Sequence, residues 1–183
     1  MRRVDPRRLV FLDESGANIA MGRTHAWTIK GQVLVDPRPM NWGDNLTMIG
    51  AVRCSGWLAM STMFESANKQ RFVAWVRRRL LPKLRPGDIV VLDNAPPHKD
   101  PRLVPLLRAK GIALRYLPPY SPDLNPIEPG WSLIKKGIRA CAPRARHALR
   151  RVAQNARRRV TPAHCHRWAK HSGYRADSND HWG

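Results

Sequence analysis

Two acidic residues of this 183-residue chain each follow a run of four apolar residues. Asp13 follows residues 9–12 (Leu-Val-Phe-Leu), and Asp93 follows residues 89–92 (Ile-Val-Val-Leu). Wholly apolar runs of this length are typical of strands that are buried on both faces of a sheet. If the two strands are parallel neighbours, their ends lie about 5 Å apart. The sequence therefore predicts that the two carboxylates converge at one edge of the sheet.

Glu128 is the best candidate for a third acidic group. It is one of only three glutamates in the chain, and it follows a loop that has four prolines within residues 118–126. A helix is expected to begin near Pro126, which places Glu128 in its first turn. Carboxylate oxygens are suitable ligands for Mg²⁺, and two such ions about 4 Å apart can assist in-line displacement at phosphorus. Metal-dependent phosphodiester chemistry is the expected use of such a set.

Each acidic residue also has a purely structural interpretation. Asp13 is compatible with a turn before Ser15 and Gly16, and Asp93 with Asn94 is compatible with a side-chain-stabilised turn. Glu128 lies three residues after Asn125, the spacing of a helix capping box. Taken singly these alternatives stay open, and the combination of three acids in a basic chain favours the catalytic interpretation.

Positive charge dominates the composition. Lys and Arg total 33 against 13 acidic residues, which gives a formal net charge of +20. Residues 129–176 contain thirteen Lys or Arg and no acidic residue. Such an excess favours a polyanionic partner through phosphate neutralisation. Eight side chains are expected to contact DNA phosphates: Lys135, Lys136, Arg139, Arg150, Arg151, Arg157, Arg158 and Arg159.

The remaining pattern predicts a mixed α/β domain of three layers with helices on both faces of the sheet. A strand or hairpin is expected at 26–35 and an antiparallel hairpin at 47–64 with its turn at 53–56. Helices are expected at 68–84, from residue 100, from residue 126, at 144–160 and at 161–170, and a strand at 112–117. We expect residues 1–140 to form the catalytic domain and 141–183 to be a basic helical extension of it.

Cysteine and histidine patterns point away from a disulfide framework or a zinc site. The three cysteines are odd in number and widely spaced, and the histidines near Cys165 match no common zinc spacing. The apolar run after the basic N-terminus is too short for a signal peptide, and no apolar stretch is long enough to span a membrane. The expected location is the cytoplasm.

Three segments resemble the catalytic blocks of bacterial insertion-sequence transposases related to mariner elements, within the DDE endonuclease superfamily. They are Phe-Leu-Asp-Glu-Ser-Gly at 11–16, Val-Leu-Asp-Asn-Ala-Pro-Pro-His at 91–98 and Leu-Pro-Pro-Tyr-Ser-Pro-Asp-Leu-Asn-Pro-Ile-Glu at 117–128. The 34 residues between Asp93 and Glu128 match the usual spacing of that family.

This resemblance implies a ribonuclease H-like fold, two Mg²⁺ or Mn²⁺ ions, transposon-end cleavage and strand transfer. It assigns Asp13, Asp93 and Glu128 as the metal-binding triad. Asn94, His98 and Asn125 are candidates to support the site or to contact substrate, although His98 can equally serve to fix the loop after Asp93. Trp131 is interpreted as core packing.

The resemblance also implies partners. Double-stranded DNA is the expected substrate, as transposon ends and target, and the protein is expected to form a homo-oligomer near the bacterial nucleoid. The helix-turn-helix region that full-length relatives use to read their ends is not in this sequence, so a separately encoded helix-turn-helix protein or frame is a further candidate partner. Two other functions stay open: an inactive basic DNA-binding remnant and a structure-selective nuclease of the same fold.

Overall fold

A computed structural model describes residues 4–41 and 43–174, and its centre is one mixed sheet of five strands in the order β3-β2-β1-β4-β5. The strands are β1 (Leu9–Ala17), β2 (Leu46–Arg53), β3 (Gly56–Met63), β4 (Ile89–Leu92) and β5 (Ala113–Tyr116). β2 is antiparallel to both of its neighbours, β1 and β3, whereas β4 runs parallel to both β1 and β5. The predicted hairpin at 47–64 and the two apolar strands are thus confirmed.

β1 is longer than its apolar run suggests. The strand passes through Asp13 and continues to Ala17, which pairs with Leu46 of β2. Pairing with β2 satisfies the backbone of residues 13–17, so the turn expected at Ser15 and Gly16 does not form. Asp13 therefore lies inside a strand, with its side chain on a face of the sheet.

Helices cover both faces of this sheet, as predicted. The helices are α1 (Lys69–Trp75), α2 (Leu103–Arg108), α3 (Glu128–Cys141), α4 (Arg146–Ala156) and α5 (Pro162–His171). α1 continues as a π-helical turn at Val76–Leu80 and a 3₁₀ turn at Leu81–Lys83, so the helix expected at 68–84 exists but changes type twice. Asn68 caps its start by accepting from the Arg71 amide at 2.9 Å.

Alternating residues of β1 separate two hydrophobic cores. Leu9 and Phe11 face one core, which α3, α4 and α5 complete, and Val10 and Leu12 face the other, which α1 and α2 complete. This period of two is the ordinary alternation of a strand, and burial on both faces explains why the run is wholly apolar. It also decides which face each acidic side chain reaches.

The residues that follow the last described helix contact β1 and the loop before α3. Beyond α5, the Tyr174 ring lies 4.8 Å from the Phe11 ring, centroid to centroid, and its hydroxyl donates to the Leu124 carbonyl at 2.9 Å. Leu124 belongs to the proline-rich loop before α3. The C-terminal helices are thus packed on the same core as β1 and held to that loop.

The strand or hairpin expected at 26–35 is wrong. Within the described residues no strand occurs between Ala17 and Leu46, and residues 26–35 form a turn at Lys30 and Gly31. The apolar side chains of this segment have no neighbour to cover them: Trp27 is 100% exposed and Val33 is 88% exposed. An apolar-polar alternation predicts a strand only where a sheet offers a pairing edge, and none does so here. Among the described helices, none combines the length and apolar character that crossing a membrane requires.

Candidate active site

The register of the two parallel strands brings Asp13 and Asp93 side by side. Leu9 pairs with Ile89 and Phe11 with Val91. Extending this register by two residues aligns Asp13 with Asp93. Asp13 follows the side-chain alternation of Phe11, which belongs to the core beneath α3. Asp93 lies one residue beyond β4, and its carboxylate bonds His98, which packs on Phe72 of the other core. The strand pairing thus brings the two residues to one edge of the sheet, and the convergence of their carboxylates stays a prediction.

Glu128 is the first residue of α3, which packs on that same face. The helix buries Trp131, Ile134 and Ile138 against the sheet, a spacing of three and four residues that fixes its orientation. Glu128 itself is exposed and lines a cleft together with Asp93 and Asn125. Asp93 and Glu128 thus line one cleft, whereas Asp13 is buried and is not among the residues that line it.

The acids influence one another electrostatically. Burial, with the nearby Glu128 and Asp93 carboxylates, raises the pKa of Asp13 to about 7. Partial burial of its carboxyl group raises the pKa of Glu128. The Lys135 ammonium opposes this rise, and the Asp93 carboxylate adds to it. Carboxylates that repel at close range in a basic protein make a favourable position for a cation.

Trp131 positions Asp13. Its indole nitrogen donates to Asp13 Oδ2 at 3.0 Å, and this bond is buried. The indole can lie this close to the sheet because Gly50, the residue opposite Asp13 in β2, has no side chain. A Cβ on Gly50 would lie 2.5 Å from the Trp57 ring and 2.7 Å from the Trp131 ring. Core packing was the prediction for Trp131, and the structure adds a hydrogen bond to the first acid.

Asp93 is held from the opposite side by His98. Asp93 Oδ1 accepts from the Ala95 amide at 2.9 Å and forms a very short hydrogen bond with His98 Nδ1. His98 is 1% exposed and packs against Phe72, with the ring centroids 4.5 Å apart and the rings tilted. Burial lowers the pKa of His98, and the Asp93 carboxylate opposes this shift. The turn interpretation of Asp93 and its catalytic interpretation are thus compatible.

Asn94 and Asn125 occupy different places around the cleft. Asn94 Nδ2 donates to the Leu117 carbonyl and so ties the end of β4 to the start of the proline-rich loop. Asn125 is 4% exposed, and its Oδ1 has no hydrogen-bond partner. The capping box expected from Asn125 to Glu128 does not form, because the Glu128 amide bonds the Asn125 main-chain carbonyl.

Glu14 is a further acid that the sequence did not single out for the site. It follows Asp13 in β1 and therefore points to the other face of the sheet. Burial and the Asp93 carboxylate raise the pKa of Glu14 to about 7, and its Oε1 is buried without a partner. Only two features of the sequence could have identified Glu14 as an acid near the site: its position next to Asp13 and the side-chain alternation of the strand.

The donor set suits a hard divalent cation. The three acids and Asn125 offer oxygen atoms only, which favours Mg²⁺ or Mn²⁺ over zinc. In the described part of the chain, no three His, Cys, Asp or Glu side chains are close enough together to hold a metal ion as they stand. Asp93 instead directs Oδ1 at the Ala95 amide and His98. The three cysteines are free thiols.

The expected DNA-contacting side chains lie in three places, and Arg139 is in the last turn of α3. Lys136 lines a cleft beside Glu128, and Lys135 is near enough to lower the Glu128 pKa. Arg150 and Arg157 instead line a groove at the outer edge of the sheet, beside β3. Three others, Arg151, Arg158 and Arg159, are exposed on or just after α4. The structure thus distributes these cations over more than one surface.

Replacing Asp13 with Asn is expected to stabilise the metal-free protein at alkaline pH. The pKa of Asp13 is about 7 in the folded protein against 3.8 for an unperturbed aspartate, so the folded protein binds this proton more tightly. Stability therefore falls as pH rises from about 4 to 7, by on the order of 2–4 kcal/mol, and the loss is complete above pH 7. Asn carries no such cost.

Thermal unfolding in the presence of a chelator, at pH 5 and pH 8, measures this effect. The variant should melt higher than the unmodified protein at pH 8, and the difference should shrink at pH 5. Mg²⁺ should raise the melting temperature of the unmodified protein at pH 8 and leave that of the variant unchanged. A melting difference that does not depend on pH would contradict the assignment of Asp13 as a buried, repelled carboxylate.

A family model described as DDE superfamily endonuclease matches residues 8–150. Similar solved structures include a pre-cleavage Mos1 transpososome, with a TM-score of 0.71, 19% identity and coverage of 93% of this chain and 54% of that chain. The Mos1 strand transfer complex gives a TM-score of 0.69 at 20% identity, covering 90% of this chain and 51% of that one. No curated protein sequence matches.

The isolated catalytic domain of the Mos1 mariner transposase gives a TM-score of 0.61 at 17% identity, covering 92% of this chain and 79% of that domain. At identities this low, the TM-scores show that the fold is shared. The chain spans about half of the length of the Mos1 chains in the two complexes. The ribonuclease H-like fold expected from the sequence is confirmed.

Proposed function

Because this chain belongs to the DDE superfamily endonucleases, whose family model spans residues 8–150, we propose that it is the catalytic domain of a transposase. The proposed activity is metal-dependent cleavage of DNA at transposon ends followed by strand transfer into target DNA. Residues 141–183 are, in this proposal, a basic extension of that domain; α4 and α5 are its helices, and residues 175–183 lie outside the described part of the chain. The proposed partners are double-stranded DNA, a second copy of the chain and a separately encoded helix-turn-helix protein or frame.

One observation carries this proposal: Asp13 of β1 and Asp93 at the end of β4 lie at one sheet edge beside the start of α3. The Glu128 and Asp93 carboxylates both raise the pKa of Asp13, which supports placing the three acids around one centre. Structural acids in so basic a chain would be expected to pair with Lys or Arg. Within the described residues, Asp13 and Glu128 make no ion pair, and the Asp93 partner is His98. Such a set is suited to hold cations.

We assign Asp13, Asp93 and Glu128 as the residues that hold the metal. Bound Mg²⁺ or Mn²⁺, expected as a pair of ions, would supply activation of the attacking oxygen and stabilisation of the leaving oxygen. Similar structures of the Mos1 paired-end complex contain Mg or Mn. Trp131 keeps Asp13 in a single orientation by its indole hydrogen bond.

His98 and Asn94 act as positioning residues in this proposal. His98 restrains Asp93 through Nδ1 and is itself fixed by the Phe72 ring and by the Tyr116 hydroxyl, which donates to the His98 carbonyl at 2.8 Å. Asn94 fixes the proline-rich loop relative to β4. Asn125, with its buried and unpartnered Oδ1 beside Glu128, presents an acceptor to whatever occupies the cleft.

The basic surface supports DNA as the substrate. The net charge of +20 and the cations beside Glu128 favour a polyanion. Similar structures include a Mos1 paired-end complex with a left transposon end. Phosphate contacts by Lys135, Lys136 and Arg139 of α3 would place the backbone next to the acids, and the site of action would be the bacterial nucleoid.

A two-step assay with purified protein tests the function. The first step measures nicking of a supercoiled plasmid with Mg²⁺, Mn²⁺ or a chelator, and the second step measures joining of a pre-cut 3′-hydroxyl end to a plasmid. Transposase activity predicts metal-dependent nicking and joining. Nicking without joining would favour a structure-selective nuclease. Salt-sensitive DNA binding that ignores the metal, with neither reaction, would favour a DNA-binding remnant.

A further inference from the structure

A basic groove lies at the outer edge of the sheet, away from the three acids. It has a volume of about 420 Å³ and is bounded by the edge strand β3, the helical turns that follow α1, and α4. These elements belong to both layers of helices, so the groove wraps around the edge of the sheet. Its lining includes the cations Arg78, Arg79, Lys83, Arg150 and Arg157.

The charge of this groove is unbalanced. Its lining residues include no Asp or Glu. Among the described residues, the side chains of Arg78, Arg79 and Arg157 make no ion pair and no hydrogen bond. Arg150 stacks on Phe64 at 4.9 Å from its guanidinium carbon to the ring centroid, and Lys83 donates to the Leu58 carbonyl at 2.6 Å. Two cations are thus oriented by the protein and three remain available.

Polar groups that suit a phosphodiester accompany these cations. Ser61 and Thr62 of β3 contribute hydroxyl groups to the lining, and Gln154 of α4 donates to Thr62 Oγ1 at 3.4 Å. Phosphate contacts in protein–DNA complexes are made by this combination of Arg, Lys and neutral polar side chains. Basic side chains also protect edge strands from pairing with other chains. That role alone does not require three cation-bearing segments to converge from both helical layers.

Strand register relates the groove to the catalytic site. Met60 of β3 pairs with Gly50 of β2, and Gly50 pairs with Asp13 of β1. The groove is therefore level with Asp13 and two strands away, about 10 Å across the sheet. Since it lies beyond β2 and β3, it is separate from the cleft that Asp93, Asn125 and Glu128 line.

We propose that this edge groove binds the phosphate backbone of duplex DNA at a position away from the reacting bond. The proposal rests on the proposed function in that it takes DNA as the substrate, and it adds a second, non-catalytic contact surface. Such a contact strengthens binding without taking part in the chemical step. Its removal should raise the DNA concentration for half-saturation and leave the rate at saturation unchanged.

The test compares two charge-matched triple variants. The groove variant is Arg78→Gln, Arg79→Gln and Arg157→Gln, and the control variant is Arg85→Gln, Arg108→Gln and Arg115→Gln, which are exposed and outside the groove. Fluorescence anisotropy with a labelled duplex at several salt concentrations gives the dissociation constant. We expect the groove variant to bind the duplex about ten- to a hundredfold more weakly. The slope of the logarithm of the binding constant against the logarithm of salt concentration should become shallower by about two to three.

Plasmid nicking by both variants completes the test. The groove variant should reach the unmodified rate at saturating DNA, and the control variant should match the unmodified protein in affinity within about threefold. Equal losses of affinity in the two variants would overturn the proposal, since net charge alone would then explain them. If the unmodified protein does not nick DNA, the proposed function fails while the binding comparison still decides the groove.

Discussion

Replacing Asp93 with Asn is expected to reduce the rate of metal-dependent nicking by at least about a thousandfold. The affinity for DNA should stay within about twofold of that of the unmodified protein. The substitution removes a negative charge from the proposed metal site and keeps the size and the turn-forming capacity of the side chain. Asn can still accept from the Ala95 amide, which bonds Asp93 Oδ1 at 2.9 Å. The fold and the basic surfaces that contact phosphate are therefore retained.

Single-turnover nicking with Mg²⁺, together with anisotropy and thermal unfolding, measures these three quantities. Asp123→Asn is the matched control, because Asp123 is an exposed acid of the proline-rich loop that is not among the three acids. It should nick at the unmodified rate. Undiminished nicking by the Asp93 variant would remove Asp93 from the metal site, and equal losses in both variants would assign the effect to total charge.

Replacing Gly50 with Ala reduces nicking by about a hundredfold and destabilises the protein by about 1–3 kcal/mol. The added methyl group would lie 2.5 Å from Trp57 and 2.7 Å from Trp131, so the two adjacent indole rings must move. Displacement of the Trp131 indole breaks its 3.0 Å hydrogen bond to Asp13. Asp13 then loses the contact that fixes its orientation in the site.

Two further variants separate packing from the hydrogen bond. Gly16→Ala is the matched control in the neighbouring strand, where a methyl group meets no atom within 4 Å, and it should leave both activity and stability unchanged. Trp131→Phe keeps an aromatic ring and removes the indole N–H. Loss of nicking in the Trp131 variant with a smaller loss of stability would assign the effect to Asp13. A Gly50 variant that nicks normally would show that the indole position is unimportant.

Local patterns in the sequence predicted the elements that carry the acids. The runs at 9–12 and 89–92 are apolar because both faces of β1 and β4 are buried, and this requirement is visible without a structure. The motif at 117–128 predicts Glu128 as the third acid, because it resembles a catalytic block of a known family. The turn at 53–56 follows from Gly56, which has a φ of +128°.

Contacts between distant segments could not be predicted in this way. The role of Gly50 depends on Trp131, 81 positions further along the chain, and on the register that places Gly50 opposite Asp13. The edge groove combines Arg78 with Arg157 only because α1 and α4 lie on opposite faces of one edge strand. The strand or hairpin predicted at 26–35 was wrong for the same reason, because a local alternation of apolar and polar residues does not show whether a partner strand exists.

Tyr174 links the far end of α5 to both sides of the proposed catalytic centre. Its ring rests on Phe11, two residues before Asp13, and its hydroxyl holds the carbonyl of Leu124, four residues before Glu128. The first acid and the third acid are therefore connected mechanically through a helix that contains neither. A shift of α5 would be transmitted through Tyr174 to the spacing between β1 and the proline-rich loop.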